Sequence, residues 1–346
     1  MSDFKSEIIT WYSGNKRFLP WRETSDPYKI WLSEIMSQQT RVEQSLPYYL
    51  KFIESYPTVF DLAQASEEDV LKLWQGLGYY SRARNLHSTA KYVALGLNGV
   101  FPGNYSGLIK LKGIGDYTAS AIASICFNEP APVVDGNVYR VLSRYFGVDI
   151  PVNSSKGVKY FKELALTLID HDNPGTYNQA LMEFGARQCK PQSPNCDICP
   201  LNNSCVALQQ NTISALPVKI RNTKIKHRYF HYLIIVNENE IILQQRTEKD
   251  IWQNLYEFPL IEGPALLTKE NIIENAVFKK HIGKKKFMLN LFNENEIVHK
   301  LSHQHIHTKF WIVTLHSEIK NGIKKAGIRE YPVPVLIANF VEEFNF

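Results

Sequence analysis

No apolar run in the 346 residues approaches the roughly 18 positions that would suggest a membrane span. The opening stretch Met1-Ser2-Asp3-Phe4-Lys5-Ser6-Glu7 is polar and lacks the apolar core of a secretory signal, so the chain reads as cytosolic. Charge of one sign is missing too. There are 39 basic and 34 acidic residues, and the excess is +3 before Lys226 and +2 from there on, with no polybasic tail. Such a balance permits nucleic-acid binding without arguing for it. Gly and Pro number only 18 and 17 against 44% hydrophobic residues, which excludes collagen-like, low-complexity and disordered classes. Cysteine is scarce. Of the five, four lie between Cys189 and Cys205, and one tight cluster in a cytosolic chain points to metal rather than disulfides. The fifth, Cys126, sits in the apolar run 121–127 and reads as a small buried hydrophobe.

The first two hundred residues read as short helices with frequent breakers. Asp26-Pro27 starts one, with Asp as N-cap and Pro at the first helical position. Tyr28, Trp31, Leu32, Ile35, Met36 and Gln39 then fall on one face. Further helices are expected over 67–74, stopped by Gly76-Leu77-Gly78, and over 83–95. Residues 207–227 read as a connector with Pro217 and a basic run through Lys219, Arg221, Lys224 and Lys226. Beyond it, 230–236 and 241–245 flank Asn237-Glu238-Asn239-Glu240 as a β-hairpin, 306–315 is strand-like, and 272–278 and 335–344 are helical. An all-α half therefore precedes an α+β domain of roughly 120 residues.

Three motifs carry chemistry. Cys189-x6-Cys196-x2-Cys199-x5-Cys205 offers four soft ligands on one short segment, with a single CxxC where zinc sites usually show two. The spacing alone favours an iron–sulfur cluster over zinc, with unliganded thiols the remaining alternative. Leu111-Lys112-Gly113-Ile114-Gly115-Asp116-Tyr117 reads as a tight turn followed by a helix start, whose free N–H groups suit a phosphate. Any close helix–helix turn can use such glycines. Asp135, between an apolar run and Gly136, reads on its own as an ordinary N-cap.

Taken in order, Ser33-Glu34-Ile35-Met36-Ser37-Gln38-Gln39-Thr40, Gly76-Leu77-Gly78-Tyr79-Tyr80-Ser81-Arg82, the Gly113/Gly115 turn, Asp135-Gly136-Asn137-Val138 and the four cysteines resemble the adenine DNA glycosylase (MutY) family. That family belongs to the helix-hairpin-helix superfamily, with endonuclease III, and the resemblance runs from Trp11 to about Pro334. It implies a multidomain fold: an all-α helix-hairpin-helix glycosylase core with a [4Fe-4S] cluster domain, plus an α+β Nudix-like C-terminal domain. The implied boundaries are 28–135 for the six-helix domain, 1–27 and 136–210 for the cluster domain, 211–227 for the connector and 228–346 for the Nudix-like domain.

The implied activity is excision of adenine mispaired with 8-oxoguanine or guanine in double-stranded DNA, by a monomeric, cytoplasmic, nucleoid-associated enzyme. The adenine must be flipped out of the stack to be reached. By the resemblance, Glu34 is the general acid and Asp135 the carboxylate that stabilises the oxocarbenium ion, while Asn137 orients Asp135 or water. Helical periodicity would instead place Glu34 on a solvated face, and Glu43 is the nearby decoy. Tyr117 stands where bifunctional members carry a Schiff-base Lys, implying a monofunctional enzyme.

Gln39 and Tyr79 match wedge positions. Trp21, Arg22 and Glu183 match adenine-pocket positions, and Gly113 and Gly115 the phosphate-docking hairpin. Cys189, Cys196, Cys199 and Cys205 are the implied [4Fe-4S] ligands, with Lys190 nearby to meet phosphate. Trp252-Gln253-Asn254-Leu255-Tyr256-Glu257-Phe258-Pro259 matches the W-x-x-L-x-E-F-P signature of the Nudix-like domain, but the metal box that should follow is absent, so this domain is expected to bind and not hydrolyse. Leu301-Ser302-His303 matches the loop that reads 8-oxoguanine, with Leu301 in place of the usual aromatic and Ser302 and His303 as hydrogen-bonding groups. His303, His305 and His307 alternate and read as a solvated strand face ahead of a metal site. The rival readings are an endonuclease III-like enzyme on oxidised pyrimidines, a non-catalytic iron–sulfur DNA-binding protein and a Nudix pyrophosphatase.

Overall fold

A computed structural model describes residues 2–220, 224–344 and 346. Arg221, part of the expected basic connector, lies outside them. The chain forms two compact units, Met1–Gln64 with Asn85–Arg221, and Ala65–Arg84 with Asn222–Phe346. Among the described residues no helix is long and apolar enough to cross a membrane.

The first unit is helical. It holds α1 (Ser2–Asn15), α2 (Pro27–Ser37), α3 (Val42–Ser55) and α4 (Val59–Gln64). The chain then passes through α5 (Glu67–Leu73) and the first turn of α6 (Ser81–Gly96), both in the second unit, and returns with the rest of α6. It continues with α7 (Tyr105–Leu108), α8 (Asp116–Phe127), α9 (Gly136–Phe146), α10 (Ser155–Leu168), α11 (Pro174–Arg187) and α12 (Val206–Gln209). Asp26 caps α2 as its sequence requires, accepting from Tyr28 N–H at 2.9 Å. That helix stops at Ser37, so Gln39 is not on its apolar face as expected. Gln39 is exposed just beyond it, with φ at 54°.

The core of this unit gathers Phe4 and Ile8 of α1, Val141 and Leu142 of α9, Phe161 of α10 and Tyr177, Leu181 and Phe184 of α11, all at most 1% exposed. Burying each such side chain contributes roughly 1.5–3 kcal/mol, so α1, α9 and α11 hold one another in place. The turn between α7 and α8 needs its glycine: Gly113 has φ at 79°, and a Cβ there would come within 2.7 Å of Asn85 Cβ.

The second unit contains a mixed sheet. It is formed by β1 (Lys226–Val236), β2 (Glu240–Ile241), β5 (Leu260–Gly263), β6 (Phe287–Leu291), β7 (Ile297–Lys300), β8 (Gln304–Leu315) and β9 (Ile323–Lys324), while β3 (Gln244–Gln245) and β4 (Tyr256–Glu257) pair separately. Its spine is the parallel pairing of β1 with β8, from Lys226↔Gln304 to Val236↔Thr314. The expected hairpin is shorter than its sequence suggested. Only β2 pairs back on β1, at Val236↔Ile241, and the chain turns away before β3. The helix expected over 272–278 is two: α13 (Lys269–Glu274) and α14 (Ala276–Ile282). Asn275 breaks it, because its side chain accepts from Val277 N–H and starts a new helix. The last helix is α15 (Val335–Phe344).

The W-x-x-L-x-E-F-P residues are interior ones. Leu255 and Phe258 are fully buried, and Phe258 meets Phe340 of α15 edge-on at 5.5 Å. Glu257 accepts two bonds from Arg246 Nη1, at 2.9 and 2.8 Å, and one from Tyr232 Oη at 3.1 Å. A carboxylate occupied this way is a structural anchor. Arg246→Ala would leave it buried without its cation and is expected to destabilise the unit by about 3–5 kcal/mol. The measurement is the urea midpoint by Trp fluorescence, and an unchanged midpoint would contradict the anchoring role.

Candidate active site

α2, the start of α9, α11 and the loop after α1 converge on a cavity of about 540 Å³. Trp21, Arg22, Glu34, Gln39, Tyr117, Asp135, Asn137 and Glu183 all line it, although 162 positions separate the first from the last. Gly113, Gly115, Tyr79, Ser302 and His303 do not line it, and the last three belong to the second unit.

Glu34 is only 7% exposed, against the solvated face that periodicity suggested. Its Oε2 is buried with no hydrogen-bond partner. Burial pushes its pKa up to about 7, with Asp135 adding to the rise and the Tyr117 hydroxyl and Arg22 opposing it. A carboxyl raised toward neutrality by burial is one that can carry a proton at physiological pH.

Asp135 both caps α9 and lines the cavity. Its Oδ1 accepts from the N–H groups of Asn137 and Val138, each at 2.8 Å, and its Oδ2 accepts from Asn137 Nδ2 at 2.8 Å. Burial raises its pKa against those hydrogen bonds. Tyr117 is half-buried, its hydroxyl pKa driven well up by desolvation and by Glu34 and Asp135, so it faces the cavity as a neutral phenol.

Sequence reasoning missed Arg17 and Arg140. Arg17 donates to Glu183 from Nε at 2.9 Å, Nη2 at 2.8 Å and its backbone N at 3.0 Å, and Arg22 adds a bond at 2.8 Å. Burial pushes Glu183 up, but these bonds outweigh it and hold the pKa at about 2. The cavity thus carries one carboxyl whose pKa is raised toward neutrality and one whose pKa is held low. No local signal marks Arg17, since its partner lies 166 residues away. Glu43, the decoy, lines the cavity rim and pairs with Arg17 at 3.3 Å while largely exposed.

Arg140 on α9 donates to Asn137 Oδ1 at 2.8 Å, Gly185 O at 2.6 Å and Cys189 O at 2.7 Å. One turn on, Arg144 donates to Cys189 Sγ at 3.4 Å, Lys190 O at 2.7 Å and Pro191 O at 3.1 Å. Two arginines at i and i+4 therefore fasten the cysteine loop to the helix that Asp135 caps. This packing requires glycine at 185: a Cβ there would lie 2.7 Å from Asn137 Cβ and 2.8 Å from Asn137 O. Gly185→Ala is expected to cost about 1–3 kcal/mol and to slow catalysis by displacing Asn137. A variant with wild-type Tm and rate would rule out that close fit.

The four cysteines are free thiols. Burial raises the pKa of Cys196, Cys199 and Cys205, the Cys199 thiol to about 11, and neighbouring cysteines of the set add to each rise. No group of three or more His, Cys, Asp or Glu among the described residues closes on a single metal ion. Thiols gathered on one short segment, three of them with pKa values raised in part by their neighbours in the set, are the soft ligands an iron–sulfur cluster takes.

In the second unit, the turn 301–303 joins β7 to β8, with Ser302 and His303 exposed and Ser302 Oγ 3.1 Å from His303 Nδ1. Tyr79 is 46% exposed with φ at 49°, its ring 5.4 Å from the Arg82 guanidinium, which also stacks on Trp74 at 5.2 Å. His307 makes a relay with His227, at 2.7 Å, and Glu296, at 3.0 Å.

Residues 32–163 match the model of the HhH-GPD superfamily of base excision DNA repair proteins, 189–205 the iron–sulfur binding domain of endonuclease III, and 204–343 the NUDIX domain. The second of these matches spans the segment that carries all four thiols, and the domain it describes binds a [4Fe-4S] cluster. An adenine DNA glycosylase of Buchnera aphidicola subsp. Baizongia pistaciae is 38% identical, with 90% of this chain and 86% of that protein covered. One of Arabidopsis thaliana is 36% identical over 91% of this chain and 57% of its own length. Among solved structures, a thermostable thymine-DNA glycosylase superposes with a TM-score of 0.56 at 31% identity, covering 60% of this chain and 96% of that one. Endonuclease III trapped on DNA, at 24% identity, covers 60% of this chain and 94% of its own and shares the fold with a TM-score of 0.52. The chain therefore belongs to the adenine DNA glycosylase family, DNA N-glycosylases of the HhH-GPD superfamily of base excision DNA repair proteins.

Proposed function

We propose that this chain excises adenine opposite 8-oxoguanine or guanine in duplex DNA, acting as a monofunctional monomer in the cytoplasm. The observation that carries the reading is the geometry of one cavity: Glu34 is buried in it with its Oε2 unpartnered, Asp135 lines it on a capped helix start, and Glu183 is held by Arg17 and Arg22. A flipped adenine is unstacked into that cavity. Glu34 gives its proton to the adenine ring, which lets the base leave with the electron pair of the glycosidic bond. Asp135 faces the sugar as it becomes cation-like, its own hydrogen bonds from Asn137 and Val138 keeping it in place. Asn137 orients Asp135 or the attacking water, and it already donates to Asp135 Oδ2 at 2.8 Å. Trp21, Arg22 and Glu183 line the base side of the cavity, and Gln39 and Tyr79 act as wedges in the duplex.

Gly113 and Gly115 dock the DNA backbone at the α8 N-terminus, where Gly115 supplies no side-chain cap and leaves amides free. Ser302 and His303 read the opposite base from the second unit. The cluster supplies no step of the reaction. Held by Cys189, Cys196, Cys199 and Cys205, it would fix the loop that carries Lys190 toward phosphate.

The test is a labelled duplex with adenine opposite 8-oxoguanine, with one sample heated in alkali and one left untreated. Strand scission only after alkali is the expected result. Scission without alkali would overturn the monofunctional assignment based on Tyr117, and no product in either sample would overturn the activity.

A further inference from the structure

The overall charge balance conceals one local concentration. Five of the sixteen basic residues from Lys226 onward fall within Lys279–Lys286, in the last turn of α14 and the segment between it and β6. They border a groove of about 910 Å³ whose lining includes Lys280, His281, Lys284, Lys285 and Lys320 and no carboxylate. Lys280, Lys284 and Lys320 are exposed, while Lys285 donates to Glu318 O at 2.7 Å. Burial and Lys280 lower the His281 pKa, so it serves as a neutral donor.

The floor decides what such a groove can hold. Ile242, Ile282, Leu315 and Ile319 are only 2–8% exposed, because they already belong to the unit's core. An apolar side chain or a ring laid on them would remove little surface from water, so an amphipathic peptide gains no anchor here. What the groove offers is charge alone, from lysines that act as point charges without the planar fork of arginine. That suits the evenly spaced phosphates of a nucleic-acid backbone, contacted without regard to sequence. The position fits as well. Leu315 ends β8, whereas the turn 301–303 precedes its start, and eleven steps of strand span about 36 Å. At 3.4 Å per base pair that distance is on the order of ten base pairs.

We propose that this groove is a second contact of the C-terminal unit with the DNA backbone, on the order of one helical turn from the Leu301-Ser302-His303 turn. The inference rests on the DNA glycosylase reading, which supplies duplex DNA as the partner. The test uses the full cluster-loaded chain and the variant Lys280→Gln/Lys284→Gln/Lys320→Gln, whose three positions are solvent-exposed. Affinity for an undamaged 30-base-pair duplex is measured from 50 to 200 mM salt. Three lost phosphate contacts should flatten the slope of log K against log salt by roughly 2–3. Excision from a 15-base-pair mispaired duplex, too short to reach the groove from its centre, should be unchanged, as should Tm. Equal slopes for the two proteins would overturn the proposal. Failure of excision in both proteins, with slopes still different, would instead overturn the adenine reading and leave the DNA contact standing.

Discussion

Replacing Glu34 by Gln is expected to lower single-turnover adenine excision by 10³-fold or more, within the range that loss of a positioned general acid produces. The amide keeps the size of the side chain but has no proton to give at neutral pH, so duplex affinity should survive. With the native residue, the active form is the protonated one. Excision should therefore hold steady below pH 7 and fall about tenfold per unit above it, as the carboxyl with its pKa of about 7 ionises. A rate flat from pH 6 to 9 would deny Glu34 the acid's role.

The same substitution carries a stability signature of opposite sign. Between pH 4.5 and 7 the folded chain retains a proton at Glu34 that the unfolded chain releases, so stability falls as pH rises through that window, by about 3 kcal/mol in all. Gln has nothing to ionise. The Tm of Glu34→Gln relative to the native chain should thus climb between pH 5 and 8, which is the price of function at this position.

Asp135→Asn separates two roles that one side chain combines. Asn is as good an N-cap as Asp, and its Oδ1 can still accept from the N–H groups of Asn137 and Val138. What it loses is the bond from Asn137 Nδ2, because it would present an NH₂ there. Asn137 has no means of turning to accept, since its own Oδ1 is held by Arg140. The structural cost is one hydrogen bond, about 1 kcal/mol. The chemical cost is the anion beside a cationic sugar, and excision should drop on the order of 10³-fold. A variant with a near-native Tm and a collapsed rate is the expected outcome. A rate within tenfold of the native chain would reduce Asp135 to a cap.

How far the sequence foretold these features depends on how local their causes are. The Asp26-Pro27 helix start, the glycine turn at 113–115 and the four-thiol segment each follow from neighbours a few positions apart, and each is found where expected. Glu34 was legible only through its motif. Its helix is so deeply packed that even the off-stripe face is covered, and periodicity describes one face against water. Gln39 defeated periodicity for the opposite reason: the helix had already ended two residues earlier. The guanidinium pair on Glu183 and the reach of Arg140 to Cys189 join residues far apart in the chain, and no pattern in one sequence announces such partners. At Asn275 a capping residue inside an apolar period divided one expected helix into two.

The membership of Ala65–Arg84 in the second unit sets an order of events during synthesis. Lys72 donates to Tyr331 O at 3.2 Å, Gln75 accepts from Val333 N–H at 3.3 Å, and Arg84 donates to Gln253 O at 2.8 Å. A ribosome adding about 5–20 residues per second needs roughly 13–50 s to travel from residue 75 to residue 333. For that interval the early segment waits outside the tunnel while helices on either side of it in the sequence can already pack. A chain released before the 330s leaves these three contacts partly unmade, so a late stop codon reaches back to a helix laid down near the beginning.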